Sequence, residues 1–293
     1  MSGVAYAVAA GIGFGIFQAV NRRANQEMDA YRATFLLLVV GTLSLSVWTG
    51  ATQDLSLLAD APIISVAHFA AAGIVHFFLG WTFLALSQQR IGAASTGAVL
   101  ASTPLVGSVL AALVLGEALT PVAVLGVLLV VVGVVLLSLR QNPGALSRAV
   151  PWFALAAALS WGSSPLFIRW GLEGLDSPLI GVTIGLMAAT LAYALALEGW
   201  RGRRSSMAPS RSGYAWVTVA GVVVAICITF QWIAFDLIPI AVAITLMQFS
   251  APTVITVAPF LVGTEAERPT PALILGAASI LAGSILVILA GTA

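Results

Sequence analysis

The feature that most constrains this chain is a series of long apolar runs with little sequence between them. The stretch from Gly92 to Leu139 holds two such runs, separated only by the segment Gly116–Pro121. An apolar helix of roughly 20 residues crosses the hydrocarbon core of a bilayer. Ten runs of about this length cover 3–20, 32–49, 63–87, 92–115, 121–139, 151–169, 178–198, 213–236, 240–262 and 270–290. The pattern predicts an all-α integral membrane protein with ten transmembrane helices.

Composition supports a membrane protein and excludes several other classes. Of the 293 residues, 60% are hydrophobic and 8% are charged, whereas soluble domains are about 25% charged. The formal net charge of +1 gives no reason to expect a nucleic-acid partner. The single cysteine, Cys227, lies inside an apolar run, so a disulfide framework is excluded.

The ten runs fall into two sets of five that share an ordered series of residues. Residues of the same type recur 148 positions apart, namely Ser102 and Ser250, Pro104 and Pro252, and Glu117 and Glu265. Because five is an odd number, two tandem copies cross the membrane in opposite senses. Inverted repeats of this kind are typical of secondary transporters, whose sites lie near the midplane between the repeats. We therefore predict one repeat over 1–140 and an inverted copy over 150–293, arranged around a central cavity.

The repeated motifs also resemble those of a known family. They are Trp161-Gly162-Ser163-Ser164-Pro165, Ser102-Thr103-Pro104-Leu105, Gly116-Glu117-Ala118-Leu119 and the glycine pair Gly126 and Gly133. In this order, the chain resembles the ten-helix, EamA-type branch of the drug/metabolite transporter superfamily over about 3–290. The resemblance implies a metabolite carrier, not an enzyme, with a cavity between its halves and a peripheral last helix in each half. It implies no particular substrate.

The distribution of arginines predicts how the chain is oriented. Eleven of the twelve basic residues lie in odd-numbered connections between spans, and only Arg169 lies in an even-numbered one. The positive-inside rule then places both termini outside the cytoplasm. The family that the chain resembles more usually has cytoplasmic termini. We expect a multi-pass protein of the bacterial inner membrane.

Polar groups inside a bilayer are costly and usually face the bundle interior or a wet cavity. On this ground we predict a set of substrate-binding candidates: Gln18, Asn21, His76, Trp81, Thr96, Ser102, Thr103, Trp161, Ser164, Gln231, Trp232, Thr245 and Gln248. His76 is either a ligand for the substrate or a proton, or a hydrogen-bonded residue between helices. Trp81 and Trp232 occupy comparable places in the two halves and are read as paired cavity walls, with a membrane-interface role as the alternative.

Two prolines and two acids have structural or gating interpretations. Pro104 and Pro252 are expected to kink their helices, either for gating or for packing alone. Glu117 and Glu265 are expected to start or cap the fifth and tenth spans, with gatekeeping as the less favoured role.

The leading functional prediction is transport of a small neutral or zwitterionic, amino-acid-like metabolite by alternating access, as export or exchange. The alternative is proton-coupled efflux of organic cations. It is weakened because Gly13–Gln18 contains no acid, whereas related small multidrug carriers place a glutamate in the first helix. A membrane scaffold and a membrane-embedded enzyme are less favoured still. We expect a solute and the lipid bilayer as partners, no metal or other cofactor, and no requirement for a dimer.

Overall fold

The computed structural model of the protein describes residues 2–28, 30–91, 93–141, 152–199, 210–262 and 271–291. Its α-helices are α1 (Gly3–Asn25), α2 (Ala30–Thr52), α3 (Leu57–Asp60), α4 (Ile63–Gly73), α5 (Gly80–Ile91), α6 (Ala93–Leu100), α7 (Thr103–Leu115), α8 (Pro121–Gln141), α9 (Trp152–Leu172), α10 (Pro178–Gly199), α11 (Arg211–Leu237), α12 (Ile240–Met247), α13 (Ser250–Val262) and α14 (Pro271–Gly291). A π-helical segment, Ile74–Leu79, joins α4 directly to α5.

Each of the ten predicted spans corresponds to one helix or to consecutive helices. The third span consists of α4, the π-helical segment and α5, the fourth of α6 and α7, and the ninth of α12 and α13. Among the described residues, six helical segments are long and apolar enough to cross a membrane on length and hydropathy alone, and shorter apolar helices accompany them. The prediction of an all-helical, multi-pass membrane fold is confirmed. The predicted boundary between repeats, at 140–150, falls mostly outside the described residues and stays a prediction.

Side-chain caps and one glycine set several helix ends. Ser2 and Ser210 accept hydrogen bonds from Ala5 N–H and Gly213 N–H at the starts of α1 and α11. Gly116 ends α7 with a φ of 70°, a left-handed conformation that glycine adopts without a steric penalty. These caps satisfy main-chain groups that would otherwise be exposed at the ends of the spans.

Some helices that are equivalent by the predicted repeat pack against each other in antiparallel pairs. In the α8–α14 pair, Gly126 lies against Gly283, and Gly133 lies against Gly276. In the α2–α10 pair, the hydroxyls of Thr42 and Thr190 are 2.8 Å apart. These two threonines are 148 positions apart, which is the repeat distance read from the sequence. Opposite directions for equivalent helices are what an inverted repeat predicts.

The packing of α1 against α11 defines the two ends of the bundle. Gly3 meets Leu237 and Ile238, and at the other end Gly213 meets Glu27. The two helices are therefore antiparallel. We call the end that carries Gly3 and Ile238 the Gly3 face, and the end that carries Glu27 and Gly213 the Glu27 face.

A methyl group added at Gly283 should destabilise the protein. A Cβ atom there would lie 2.5 Å from the carbonyl oxygen of Gly126 and 2.9 Å from the backbone nitrogen of Val130. Because backbone atoms of a packed helix cannot shift cheaply, Gly283→Ala should cost about 1–3 kcal/mol, seen as a lower unfolding temperature in detergent. Gly50→Ala is the control, since nothing lies within 4 Å of its added Cβ. Equal unfolding temperatures for the two variants would contradict this account of the α8–α14 contact.

Candidate functional site

Three spans depart from regular α-helix near their midpoints. In the third span, the N–H of Gly80 donates to the carbonyl of Val75, five residues back, at the end of the π-helical segment. The fourth span breaks between Leu100 and Thr103, and the ninth breaks between Met247 and Ser250. Irregular backbone at membrane depth is tolerated only where protein buries it or where it lines a wet cavity. These three places mark where a midplane site can be built.

The structure replaces the predicted proline kinks with helix breaks. Pro104 and Pro252 lie in the first turns of α7 and α13 instead of the interior of a continuous helix. The first turn suits proline, because its missing N–H would have no intrahelical partner there. At the breaks, Ser102 N–H donates to the Val99 carbonyl at 3.0 Å, and Phe249 N–H donates to the Leu246 carbonyl at 3.2 Å. The Ser102 hydroxyl also donates to the Val99 carbonyl, at 2.7 Å, so this carbonyl accepts two hydrogen bonds at the break.

His76 lies in the π-helical segment and connects the third span to α9. Its Nδ1 is 2.7 Å from the hydroxyl oxygen of Ser164. The indole N–H of Trp161 donates to the main-chain carbonyl of His76 at 3.0 Å. His76 and Ser164 are both buried. Two hydrogen bonds therefore hold the histidine at the contact between the predicted halves, close to the midpoint of both spans.

The arrangement leaves one nitrogen of His76 available for recognition. Among the residues that the structure describes, none hydrogen-bonds to Nε2. The Nδ1–Ser164 bond can run in either sense, because a hydroxyl both donates and accepts. If Nδ1 carries the proton, Nε2 is an acceptor; if Nδ1 accepts from Ser164, Nε2 is a donor. A neutral imidazole held in this way can match either a donor or an acceptor on a solute.

Aromatic rings surround this histidine and link three spans. The centroid of His76 lies 4.7 Å from that of Phe77 and 6.2 Å from that of Trp161. Trp81 follows, 5.5 Å from Phe77 and 6.1 Å from Phe17 of α1. The predicted candidates His76, Trp81, Trp161 and Ser164 are thus brought together in one place. Phe17 and Phe77 belong to the same cluster, but nothing distinguished these apolar residues from ordinary core positions in the sequence.

Trp232 is packed in the core instead of forming a cavity wall opposite Trp81. Its side chain is 0% exposed and lies 5.7 Å from Phe69 between ring centroids. Phe69 comes before the midpoint of the third span, nearer the Gly3 face, whereas Trp81 comes after it. An inverted repeat explains the difference, because equivalent positions away from the midplane lie at opposite depths. The neighbouring Gln231 is buried as well, and its amide nitrogen is 3.5 Å from the sulfur of Met247.

Two predicted threonines are buried and satisfied within the bundle. The Thr245 hydroxyl donates to the Ala241 carbonyl, 2.6 Å away and one turn back in α12. Thr96 shares a 2.8 Å hydrogen bond with Ser87. In this conformation neither hydroxyl is free to bind a solute through the proton or lone pair that these bonds use.

Four other candidates occupy different environments. Thr103 is buried beside the break in the fourth span, and its hydroxyl has no hydrogen-bond partner among the described residues. Gln248 is half-buried within the break of the ninth span. On α1, Gln18 is exposed and Asn21 is half-buried, both beyond Phe17 toward the Glu27 face. Thr103 and Gln248 therefore lie beside the irregular backbone, whereas Gln18 and Asn21 lie nearer the end of the bundle.

A charged contact on the Gly3 face corrects the prediction for Glu117. Its carboxylate accepts a hydrogen bond from Ile240 N–H at 3.0 Å, so it caps α12 of the ninth span and not the fifth span. The same oxygen lies 3.6 Å from the guanidinium of Arg169 at the end of α9. Arg169 in turn donates to the Ile238 carbonyl at 2.7 Å. This contact could not be predicted from the sequence, because the partners of Glu117 lie 52 to 123 positions away along the chain. Glu265 lies outside the described residues.

A pocket opens at this charged contact. It has a volume of about 390 Å³ and is lined by Leu115, Glu117, Arg169, Leu172, Glu173 and Asp236. Three acids and one arginine therefore meet at the Gly3 face, at the ends of the fourth, sixth and eighth spans. The charged lining contrasts with the neutral, aromatic surroundings of His76 deeper in the bundle.

A second polar contact, at the Glu27 face, joins the end of α1 to the start of α11. The carboxylate of Glu27 accepts hydrogen bonds from the hydroxyls of Ser210, at 2.5 Å, and Ser212, at 3.1 Å. Arg23 lies 3.2 Å away. The Ser210 hydrogen bond, reinforced by Ser212 and Arg23, lowers the pKa of Glu27 below its ordinary value of 4.5. The contact is therefore fully present above that value and is lost as the pH falls through the lowered pKa.

Breaking the His76–Ser164 bond should destabilise the protein modestly. Ser164→Ala leaves Nδ1 of His76 buried without its partner, and hydrogen bonds between membrane helices are worth about 0.6–2 kcal/mol. We expect a lower unfolding temperature in detergent. His76→Asn is the matched variant, since the asparagine amide nitrogen takes the place of Nδ1 and should keep most of the stability. Equal losses from both variants would show that the bond does not hold this contact.

Comparisons with known proteins agree with this architecture. Residues 1–139 match the EamA-like transporter family. A solved structure, described only as a crystal structure of a protein, superposes with a TM-score of 0.81 at 21% sequence identity. The superposition covers 99% of this chain and 96% of that one, and it supports the fold alone. No curated protein matches the chain. The resemblance to the drug/metabolite transporter superfamily drawn from the motifs is confirmed.

Proposed function

Because residues 1–139 match a family of membrane transporters of the drug/metabolite type, we propose that this chain carries a small neutral or zwitterionic metabolite across the membrane. The proposed mechanism is alternating access, with the solute bound near the midplane between the two halves. Export or exchange is the proposed direction. The partners are the solute and the bilayer, a single chain suffices, and no cofactor takes part.

The observation that carries the proposal is the coincidence of three features at mid-span. The breaks in the fourth and ninth spans, the π-helical segment and the His76–Ser164 pair all lie near the midpoints of their helices. Transporters with inverted repeats build their sites from discontinuous helices at this depth. π-Helical turns also occur frequently at functional sites, because they re-aim side chains that a regular helix would direct elsewhere.

The chemistry of these residues favours a neutral or zwitterionic solute. Nε2 of His76 offers a polar group without a fixed charge, and Phe17, Phe77 and Trp81 offer apolar ring faces. Aromatic faces also attract cations, so the rings alone do not select against them. An organic cation would additionally want a carboxylate at the midplane, and α1 carries none over Gly13–Gln18. Efflux of organic cations therefore remains the second candidate.

The proposed orientation follows from the positive-inside rule. Among the described residues, Arg23 and Arg211 lie at the Glu27 face and Arg169 lies at the Gly3 face, and in the sequence eleven of the twelve arginines fall in odd-numbered connections. We propose that the Glu27 face is cytoplasmic, in a bacterial inner membrane. The Gly3 face and its charged pocket then lie on the opposite side.

Transport by purified protein in proteoliposomes tests the proposed substrate class. Radiolabelled amino acids with neutral side chains, nucleosides and a quaternary ammonium cation form the panel. We expect saturable uptake of at least one neutral or zwitterionic solute, since the midplane residues offer polar groups without a fixed charge. Liposomes without protein are the control. Transport of the cation with none of the others would overturn the proposal in favour of cation efflux.

Removing Nε2 from His76 should weaken solute recognition. His76→Asn keeps the nitrogen facing Ser164 and loses the one that faces no described residue. We expect KM for the transported solute to rise about five- to tenfold, which corresponds to the loss of one hydrogen bond of about 1–1.5 kcal/mol. His76→Gln, which places its amide nearer the position of Nε2, is the comparison and should raise KM less. An unchanged KM in His76→Asn would assign the histidine a purely structural role.

A further inference from the structure

The charged contact on the Gly3 face joins the two predicted halves of the bundle. Glu117 belongs to the connection between α7 and α8, and Arg169 to the end of α9. Both also hydrogen-bond to the main chain where α11 meets α12. Glu117 accepts from Ile240 N–H, and Arg169 donates to the Ile238 carbonyl. Three segments therefore meet at these two side chains, which we call the Gly3-face clamp. Any opening of this end between the halves must separate them.

The clamp is a weak ion pair with unused hydrogen-bonding capacity. Its charged atoms are 3.6 Å apart, longer than a good charge-assisted hydrogen bond. Glu117 Oε2 and Arg169 Nε are both buried and have no hydrogen-bond partner among the described residues. The side chains of Arg169 and Glu117 are 29% and 15% exposed, so solvent already screens part of their attraction. Besides this attraction, each side chain makes one hydrogen bond to the main chain, Glu117 with Ile240 N–H and Arg169 with the Ile238 carbonyl.

Glu117 and Arg169 both line the pocket of about 390 Å³, so a solute in this pocket can place its own charged groups beside them. A solute with an ammonium group and a carboxylate offers each partner a replacement, since the ammonium can bind Glu117 and the carboxylate can bind Arg169. A solute with only one of these groups replaces one side of the ion pair and leaves the other side chain with its main-chain hydrogen bond alone. The geometry therefore discriminates zwitterions from singly charged relatives of the same size.

We infer that the Glu117–Arg169 clamp is the gate at the Gly3 face and that zwitterionic solutes open it by replacing each partner. The inference rests on the proposed transport function and narrows its substrate class from neutral or zwitterionic to zwitterionic. A ligand shifts a conformational equilibrium only through its differential affinity for the two states. Here that difference comes from salt bridges that the solute makes only when the clamp is open.

Cysteine labelling in nanodiscs tests the gate without requiring transport. The parent protein carries Cys227→Ala, which removes the only native thiol, and Leu172→Cys, a buried reporter in the pocket lining. Glu117→Gln keeps an acceptor for Ile240 N–H but loses the charge. We expect it to raise the rate of maleimide labelling about fivefold, as for the loss of a partly screened ion pair of about 1 kcal/mol. Arg169→Gln should do the same and serves as the second variant if Glu117→Gln folds poorly.

Glu173→Gln is the matched control, because it removes an acid from the same pocket outside the clamp. Its labelling rate should equal that of the parent. Equal rates for Glu117→Gln, Arg169→Gln and Glu173→Gln would overturn the inference, whatever the protein transports.

The solute arm uses a mixture of amino acids with neutral side chains, the same amino acids N-acetylated, and their methyl esters. The free amino acids should raise labelling of the parent about fivefold, whereas the other two sets, each lacking one charge, should not. In Glu117→Gln, the free amino acids should leave the labelling rate unchanged. If the free amino acids leave the labelling rate of the parent unchanged, the inference that solutes open the gate is overturned. Uptake of amino acids by the wild-type protein in that case leaves the proposed transport function standing, so the two failures are distinguishable.

Discussion

The structure depends on one constraint, which is that lipid offers no hydrogen bonds to a polypeptide main chain. Every departure from regular helix within the bundle must therefore be compensated by protein or by a wet cavity. Here the departures are few and occur at mid-span. The Ser102 main-chain N–H bonds the Val99 carbonyl at the break in the fourth span, and the Trp161 indole bonds the His76 carbonyl in the π-helical segment. The proposed solute site lies beside these departures from regular helix.

Close packing between the halves makes this arrangement possible. Gly162 of α9 allows α7 to approach until an added Cβ would lie 3.0 Å from the backbone nitrogen of Gly107. On the other side of the bundle, Gly15 of α1 approaches the Ser250 carbonyl, where an added Cβ would be 2.8 Å away. Both broken spans thus rest on a glycine of the opposite half. Small residues allow backbones to approach closely where lipid gives no hydrophobic drive for association.

Much of the fold could be predicted from the sequence, because bilayer thickness fixes span length and apolar runs are visible directly. The doubled motifs also indicated inversion, and the Thr42–Thr190 contact has the expected spacing. The candidate site was predicted only in part. His76 and Ser164 are conspicuous as polar residues in apolar runs, but their pairing depends on a π-helical turn that no residue pattern specifies. Trp232 was misplaced because an inverted repeat carries equivalent residues to opposite depths, and the role of Glu117 was missed because its partners are far apart in sequence.

The central claim is that the midplane region around His76 binds the solute. An experimental structure with a transported solute bound tests it most directly. The account predicts solute density within hydrogen-bonding distance of Nε2 of His76, beside the rings of Trp81 and Trp161 and next to the breaks at 101–102 and 248–249. Solute bound only elsewhere, with a protein group bonded to Nε2, would contradict it.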